Sequence, residues 1–242
     1  MLSKNEAKYI QSLFHKKQRD ALNLFIVEGV KGVDELLNSS MQVQKIYALD
    51  NWEHPKMHKA PIVRISESAL QQVSALQTPN KVLAIAAQPV MEVQPPVKGK
   101  WILALDGIKD PGNMGTLIRI ADWFGIQQIV ASEDSVEFFN PKVIQSTMGS
   151  FARVAVGYTP LLQYLNQTDL PVLGALLNGN SIYQQPALKE GVLLIGNESN
   201  GISEALLPLI SLPVSIPRIG GAESLNAAVA GGILLSHLLK PS

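Results

Sequence analysis

Residues 101–125 read WILALDGIKDPGNMGTLIRIADWFG, and they show the pattern that repeats through most of the chain. The apolar run Trp101–Asp106 predicts a buried strand, and a loop rich in Gly and Asp follows it. An apolar stripe at helical spacing then predicts a helix over Met114–Phe124, which Gly125 ends, and Ile126–Ala131 predicts the next strand. Apolar strands that alternate with helices favour a mostly parallel sheet with helices on both faces.

The same alternation continues almost to the end of the chain. Further apolar runs predict strands at 153–156, 172–177, 192–195 and 212–216. A smaller α/β unit is predicted at the beginning of the chain, and the stretch QPVMEVQPPVKGK, with three prolines and no periodicity, separates the two. We therefore predict a small α/β domain at 1–88, a linker at 89–100 and a parallel-sheet domain at 101–242.

Composition excludes several classes of protein. Hydrophobic residues make up 46% of the 242 and charged residues 17%, which is sufficient for a core and excludes a disordered chain. Without cysteine the chain can form neither disulfides nor a Cys-based zinc site, which suits the reducing cytoplasm. No run approaches the roughly 20 apolar residues that span a bilayer, and the N-terminus lacks a signal-peptide pattern. We expect a cytoplasmic protein without a membrane segment.

Basic charge is concentrated in the first part of the chain, although the net charge is 0. Residues 1–100 contain 13 Lys and Arg against 9 Asp and Glu, whereas residues 101–242 contain 7 against 11. The cluster of Lys16, Lys17 and Arg19 lies at the end of a helix predicted over Ser3–Arg19. Such a cluster is either a solvated helix end or part of a polyanion-binding surface.

Three polar loops follow predicted strands of the second domain. They are residues 106–115, 196–203 and 216–226, and each leads into a predicted helix. Ligands of parallel α/β sheets bind beyond the carboxyl ends of the strands, so these loops are the candidate functional site.

The polar residues of these loops also have structural interpretations. Asn113 and Ser224 both precede predicted helices, where either is a suitable N-cap. Glu198 stands in an Asx-rich turn into a helix that Ser203 would cap. Arg119 lies on the helix face turned away from the sheet, where it could bind a ligand or pair with Asp122.

Several other chemistries find little support. Glycines at 107, 112 and 115 match neither the dinucleotide-binding nor the P-loop pattern, and no G-x-S-x-G elbow occurs. His54 and His58 are four residues apart, but Pro55 lies between them and no carboxylate partner is evident, so we expect no metal. The last helix, Ala227–Leu239, is apolar on nearly all sides, which indicates burial in a core or, as we favour, an oligomer interface.

Taken together, the three loops resemble the three motifs of the SpoU family of RNA 2′-O-ribose methyltransferases, within the SPOUT superfamily. The segments LDGIKDPGNMGTLIRIADWFG, LLIGNESNGIS and SIPRIGGAESLNAAVAGGILL carry the likeness, and it covers residues 101–239 nearly continuously. The first part of the chain, through FIVEGVKGVDELL and ISESALQQVSALQTPNKVLAIA, resembles the L30e-like substrate-binding domain often fused to this catalytic domain.

The resemblance implies a fold and a cofactor. The C-terminal segments of the sheet would pass through a loop and form a deep trefoil knot, and S-adenosylmethionine would bind within it largely through main-chain groups. By matching positions, Gly196, Ile216 and Leu225 would hold the cofactor, with Leu176 and Asn178 near it. A glycine at 196 would permit the close backbone approach that such binding requires.

The resemblance also implies a set of catalytic residues. The polar active-site positions of the family fall on Asn113, Arg119, Glu198, Ser224 and Asn226. An arginine is often proposed in the family as the base that removes the 2′-OH proton, although a guanidinium ordinarily keeps its own proton. Arg119 would therefore act as that base or would orient the hydroxyl and bind the phosphate, while Glu198 and Asn226 arrange it.

The resemblance finally implies partners. Family members are generally homodimers through the catalytic domain, and Lys16, Lys17 and Arg19 would contact RNA. Arg218 departs from the family pattern, which commonly has an apolar residue there, and it could add an RNA contact. The expected function is S-adenosylmethionine-dependent 2′-O-ribose methylation of RNA, foremost ribosomal RNA. The alternatives are a tRNA 2′-O-methyltransferase and a non-catalytic RNA-binding or ribosome-assembly factor.

Overall fold

The computed structural model describes residues 2–54 and 59–239, so His58 lies outside the described residues. Contacts divide the chain into two compact units. The first comprises Met1–Val90 and Glu137–Ala152, and the second comprises Met91–Val136 and Arg153–Ser242. No helix in the described ranges is long and apolar enough to cross a membrane.

Strands and helices alternate through the described residues. The strands are β1 (Leu24–Glu28), β2 (Val43–Ala48), β3 (Ile62–Arg64), β4 (Val82–Ala87), β5 (Trp101–Leu105), β6 (Gln128–Ala131), β7 (Ala155–Tyr158), β8 (Val172–Ser181), β9 (Gly191–Ile195) and β10 (Leu212–Ser215). The α-helices are α1 (Lys4–Ser12), α2 (Lys16–Leu22), α3 (Val30–Leu37), α4 (Glu67–Val73), α5 (Pro111–Trp123), α6 (Pro141–Ser146), α7 (Leu161–Asn166) and α8 (Ala227–Leu238). Short 3-10 helices lie at Ser150–Ala152, Ile182–Gln184 and Glu204–Leu209.

The first unit is built on a four-stranded sheet in the order β1-β4-β2-β3. β4 is antiparallel to both β1 and β2, and β2 is parallel to β3. The central strand β4 is apolar on both faces, whereas its neighbour β2 contains Gln44 and Lys45 near its start. The core between the sheet and α1 and α4 contains Ile10, Leu70 and Ile85. The small α/β unit predicted from the sequence is confirmed.

The helix predicted over Ser3–Arg19 is two helices. Its beginning is as expected, because Ser3 caps α1 by accepting the N–H of Glu6. Residues 13–15 then donate to the carbonyls three residues before them, and His15 is extended at φ −97° and ψ 129°. These turns separate α1 from α2, so the prediction of one continuous helix was wrong.

The segment Glu137–Ala152 packs within the first unit, although the sequence assigned it to the parallel-sheet domain. Phe138 and Phe151 are buried, and the Phe139 ring centroid lies 4.8 Å from that of Phe25 in β1. Burial of aromatic rings is a strong driving force for this packing. The predicted domains would place this segment in the domain at 101–242, whereas its contacts place it in the first unit.

The second unit is a six-stranded sheet in the order β10-β8-β9-β5-β6-β7. Every pairing between neighbours is parallel, and the inner strands β5 and β9 are almost wholly buried. The predicted α/β class with a mostly parallel sheet is confirmed. This arrangement brings the carboxyl ends of β9, β5 and β6 side by side, which places the loops that follow them at one edge.

The proline-rich stretch is anchored to the second unit from residue 91 onward. The Val93 side chain packs against Gly157 of β7, where an added Cβ would overlap Val93 Cγ2. Gln94 exchanges hydrogen bonds with the Gln128 side chain at 3.1 and 2.8 Å, and its carbonyl accepts the hydroxyl of Tyr164 at 3.1 Å. Most of the predicted linker, from residue 91 onward, therefore belongs to the second unit.

Candidate active site

Three side chains join the three polar loops at the carboxyl edge of the parallel sheet. Asn113, in the first turn of α5, donates through Nδ2 to Glu198 Oε1 at 2.6 Å. Asn226, at the start of α8, donates through Nδ2 to Asn113 Oδ1 at 2.7 Å. Asn113 is therefore the centre of a hydrogen-bonded chain that contains one residue from each loop.

Asn113 is available for this bridge because Asp110 caps α5. Asp110 Oδ1 accepts the N–H of Asn113 at 2.7 Å, and Pro111 occupies the first helical position. Pro suits that position because its missing N–H would have no helical partner. The structural interpretation of Asn113 as an N-cap was wrong by one turn, because the helix begins at Pro111 and not at Met114.

Asn226 performs two tasks at the start of α8. Its Oδ1 accepts the N–H groups of Ala228 and Val229 at 3.0 and 3.2 Å, which is N-cap geometry, while its Nδ2 reaches Asn113. Ser224, the N-cap expected as a structural alternative, does not cap the helix. Ser224 is exposed and makes no hydrogen bond to another described residue.

The loop that carries Glu198 is tightly closed. Asn197 and Gly201 exchange two backbone hydrogen bonds of 2.9 Å, and a Cβ on Gly196 would overlap the backbone of Gly201 and Ile202. The Asn197 side chain donates to the Gly107 carbonyl at 2.6 Å, which ties this loop to the one after β5. Glu198 Oε2 accepts no hydrogen bond from a described residue, so this oxygen remains available at the edge.

Arg119 is exposed on α5 and forms no hydrogen bond or ion pair with another described residue. The pairing with Asp122 considered from the sequence does not occur, because Arg153 binds that carboxylate from Nε and Nη2 at 2.9 to 3.1 Å. The structure therefore brings Asn113, Glu198 and Asn226 together and leaves Arg119 and Ser224 free to meet a ligand.

Asp106 and Ser203 form a contact that the sequence did not predict. The buried Asp106 Oδ2 accepts both the backbone N–H and the hydroxyl of Ser203, at 2.7 and 2.6 Å. Ser203 stands before the 3-10 helix Glu204–Leu209 but makes no side-chain cap to it. A signal was present, since Asp106 is an acidic residue at the end of an apolar strand.

A fourth strand-end loop, Ser132–Val136 after β6, was also missed. It is polar like the other three, with the sequence Ser-Glu-Asp-Ser, but it contains none of their Gly and Asn residues, and β6 neighbours β5 in the sheet. Its hydroxyls bind the backbone N–H groups of Gly107 and Ile108 at 2.8 and 3.1 Å. The strand order, which the sequence does not reveal, is what makes this loop part of the same edge.

The residues expected at the cofactor lie in β8 and on the loops that follow β9 and β10. Leu176 and Asn178 lie where the pairing of β8 with β10 shifts register, between Gly174 and Asn180. Ile216 directly follows β10 and is half-buried, as is Gly196 after β9, while Leu225 is exposed. Because β8 neighbours both β10 and β9, these residues share one end of the sheet.

The basic residues expected to contact RNA occupy different environments. Lys17 is exposed, and Lys16 forms an ion pair with Asp20 at 2.5 Å. Arg19 is buried, and its guanidinium donates to Glu137 and to the Leu13 carbonyl, so it does not form part of an RNA-facing surface in this structure. Burial lowers the pKa of Arg19. In the second unit, the exposed Arg218 donates to the Ala222 carbonyl at 3.2 Å.

Comparison with known families gives two matches. Residues 100–236 match the SpoU rRNA Methylase family, and residues 4–84 match the MRM3-like substrate binding domain. The first match contains Asn113, Arg119, Glu198 and Asn226, the residues discussed above.

Individual relatives cover nearly the whole chain. This chain is 33% identical over 234 residues to the 23S rRNA (guanosine(2553)-2′-O)-methyltransferase RlmP of Bacillus subtilis, and the matched region covers 94% of this chain and 93% of that protein. Among solved structures, a TrmH-family protein from Porphyromonas gingivalis is 35% identical, with a TM-score of 0.86 and 98% of both chains covered. An AdoMet-bound rRNA methyltransferase from Sinorhizobium meliloti is 26% identical, with a TM-score of 0.86 over 98% of this chain and 96% of that one.

Proposed function

Because this chain belongs to the SpoU rRNA methylase family, we propose that it transfers a methyl group from S-adenosylmethionine to a ribose 2′-hydroxyl of ribosomal RNA. The observation that carries the proposal is the chain Asn226–Asn113–Glu198, which joins all three loops. The helix α5, which supplies Asn113, also carries Arg119, and Arg119 has no partner among the described residues. The matching relatives RlmP and the 23S rRNA (uridine(2479)-2′-O)-methyltransferase of Streptomyces viridochromogenes support ribosomal RNA, and with it a cytoplasmic site of action.

The later part of β8 and the loops that follow β9 and β10 fit the proposed cofactor. Leu177, Ile219 and Leu225 expose apolar side chains there, which suits an adenine ring better than it suits water. The tight turn at Gly196 presents backbone groups without side-chain bulk, and Ile216, Leu176 and Asn178 complete the proposed binding set. The bound cofactor supplies an electrophilic methyl group on a sulfonium sulfur.

Arg119 and Glu198 are the residues that we propose to act on the RNA. The five-donor guanidinium of Arg119 suits a ribose and its phosphate, and it would stabilise negative charge as the 2′-oxygen loses its proton. Asn113 holds Glu198 by one oxygen, so the other oxygen is fixed in place to accept a hydrogen bond. Ser224, exposed and without a described partner, would contribute a further hydroxyl to the substrate.

The first unit, together with the exposed Arg218 on the second, would bind the RNA. The match to a substrate binding domain at residues 4–84 supports this role. Lys17 is the exposed member of the basic cluster that has no described ion pair, and Lys16 could exchange its Asp20 partner for a phosphate.

We also propose that two copies pair through α5 and α8. Val229, Gly232, Ile233 and Ser236 form the outward face of α8, and Gly232 adjoins Ile120 of α5. Trp123, one turn after Ile120, is 85% exposed. Exposed apolar side chains grouped on one face are typical of an interaction surface. Ile233→Lys should give monomers in sedimentation, whereas Leu207→Lys, at another exposed apolar site, should not.

The deep trefoil knot of the family is proposed for this chain as well. The sheet order supports it, because β10 returns to the far edge beside β8 while α8 packs on α5. Stretching between the termini should stop short of the fully extended length of 242 residues, because a knot tightens within the chain.

The direct test is transfer of labelled methyl groups from S-adenosylmethionine to unmodified ribosomal RNA and to bulk tRNA in parallel. Label on a ribosomal 2′-oxygen is expected, and Arg119→Ala should abolish it while cofactor affinity stays unchanged. Label in tRNA alone would assign the other substrate. Cofactor binding without label in either RNA would point instead to an RNA-binding or assembly factor.

A further inference from the structure

The turn between β5 and α5 determines where the catalytic helix begins. Gly107 adopts a left-handed conformation at φ +67°, and Ile108 beside it is fully buried. Three residues later Pro111 starts α5, the helix that carries both Asn113 and Arg119. A small displacement of this turn would therefore move Asn113 relative to Glu198, its partner at 2.6 Å.

The backbone N–H and carbonyl groups of Gly107 and Ile108 all have a side-chain or loop partner. The N–H of Gly107 donates to Ser132 Oγ at 2.8 Å, and the N–H of Ile108 donates to Ser135 Oγ at 3.1 Å. The Gly107 carbonyl accepts from Asn197 at 2.6 Å, and the Ile108 carbonyl accepts the N–H of Val136 at 2.8 Å. Two consecutive N–H groups of this kind can bind an anion, but here they bind hydroxyls.

The direction of the hydroxyl hydrogen bonds follows from Asp134. A carboxylate only accepts, so the Ser132 hydroxyl donates to Asp134 Oδ1 at 2.6 Å and is left with lone pairs for Gly107. The Ser132 and Ser135 oxygens are 3.0 Å apart, so Ser135 donates to Ser132 and accepts from Ile108. The Lys109 ammonium binds Asp134 Oδ2 at 2.7 Å and lowers the pKa of that carboxyl, which keeps it an acceptor.

We propose that Ser132 and Ser135 are positioning residues for methyl transfer: their hydroxyls hold the Gly107–Ile108 turn so that α5 presents Asn113 to Glu198. The inference rests on the proposed function for its reaction. Neither serine touches the residues proposed to bind cofactor or RNA. Their removal should therefore slow the chemical step and leave both binding steps unchanged.

The experiment compares Ser132→Ala, Ser135→Ala and the double variant with Ser135→Thr, which keeps a hydroxyl. Glu133→Gln is the matched control, because Glu133 lies in the same loop, is exposed and forms no hydrogen bond or ion pair with a described residue. Transfer measured over a range of RNA concentrations gives the RNA KM, single-turnover transfer at saturating RNA gives the rate per bound cofactor, and calorimetry gives cofactor affinity and the number of sites. We expect the double variant to be at least tenfold slower, with cofactor affinity and RNA KM within twofold of the parent.

The conservative variant and the control separate positioning from folding. Ser135→Thr should recover most of the rate lost in Ser135→Ala, and Glu133→Gln should match the parent. An unchanged rate in the double variant would overturn the proposal, and so would a loss fully explained by fewer cofactor sites.

Amide hydrogen exchange tests the hydrogen bonds of the turn independently of methyl transfer. The N–H groups of Gly107 and Ile108 should exchange at least tenfold faster in the double variant than in the parent. Unchanged exchange would overturn the proposal even where the rate falls. A parent protein that transfers no methyl group would instead refute the proposed function, while the exchange result would still report on the turn.

Discussion

Replacing Glu137 with glutamine is expected to destabilise the first unit more than replacing its partner Arg19 with methionine. The Arg19 side chain is 2% exposed, and it donates to Glu137 Oε1 and to the Leu13 carbonyl at 2.9 Å. Burial already disfavours this cation, as the direction of its pKa shift indicates. Removing the Glu137 charge leaves the cation buried without its counterion.

The expected magnitudes follow from the exposure of each partner. Removing one member of a fully buried pair costs about 3–5 kcal/mol, and Glu137 is 21% exposed, so we expect about 2–3 kcal/mol for Glu137→Gln. Arg19→Met removes the buried cation and an Nε without a hydrogen-bond partner, and it leaves Glu137 with Lys16 Nζ at 3.8 Å. We expect about 1–2 kcal/mol for it, mainly from the Leu13 carbonyl that loses its donor.

Urea unfolding can measure these differences within the first unit. A Trp101→Phe/Trp123→Phe background leaves Trp52, which is buried in that unit, as the fluorescent reporter. The double variant should cost less than the sum of the two single variants by at least about 1 kcal/mol. Additive costs, or an Arg19→Met variant less stable than Glu137→Gln, would refute the reasoning.

Three further predictions follow from other parts of the structure. Lys17→Ala should lower the magnitude of the slope of log affinity for RNA against log salt concentration by about 0.7–0.9. Arg19→Met should leave that slope unchanged because Arg19 is buried. Equal slopes in the parent and both variants would show that Lys17 is not part of the RNA-binding surface. Gly196→Ala should abolish cofactor binding in calorimetry, because the added Cβ overlaps the Gly201 backbone and must open the turn; normal affinity would exclude this turn from the cofactor site. Burial raises the pKa of Tyr164 to about 12, so its contribution to stability is present below about pH 10 and is lost as the pH rises to about 12. Tyr164→Phe should flatten that part of the stability profile, and a profile like that of the parent would contradict this assignment.

The apolar runs were sufficient to predict the architecture. Fully buried parallel strands such as Val192–Ile195 must be apolar on both faces, so they are visible as short uninterrupted runs between helices. Helix starts were harder to predict, because Asp110 and Asn113 both suit an N-cap and only the preceding turn decides between them. Ser224 and Asn226 are likewise both suitable N-caps for α8, and in the structure Asn226 is the residue that caps it.

Contacts between distant segments explain what the sequence did not predict. Arg19 looked like surface charge because its counterion, Glu137, is 118 residues away in the chain. Ser132 and Ser135 gain their importance only from the adjacency of β6 and β5. The three motif residues could be predicted as a group because strand ends of one parallel sheet converge, but the central place of Asn113 among them depends on side-chain geometry.

That central place leads to a prediction for Asn113→Asp. The new carboxylate would face Glu198 Oε1 across a distance that is 2.6 Å in the parent, and it can still accept the Asn226 amide. Two carboxylates so close cannot both ionise without strong repulsion, so the upper pKa of the pair rises above the ordinary range. When one proton is shared, the bridge between the loops forms again. Methyl transfer by Asn113→Asp should therefore recover as the pH falls towards that raised pKa, whereas Asn113→Ala should show no such recovery.

Single-turnover rates do not depend on product release. Measured for both variants over a range of pH, they test whether only Asn113→Asp recovers activity as the pH falls. Parallel profiles for Asn113→Asp and Asn113→Ala would show that Asn113 does not act through the bridge to Glu198. The double variant Asn113→Asp/Glu198→Gln restores the bridge at every pH, since the amide introduced at position 198 can donate to the carboxylate introduced at position 113. It also moves the carboxylate away from position 198. Full activity in this variant would mean that joining the loops is sufficient, whereas a low rate without pH dependence would mean that the reaction needs the free oxygen of Glu198 itself.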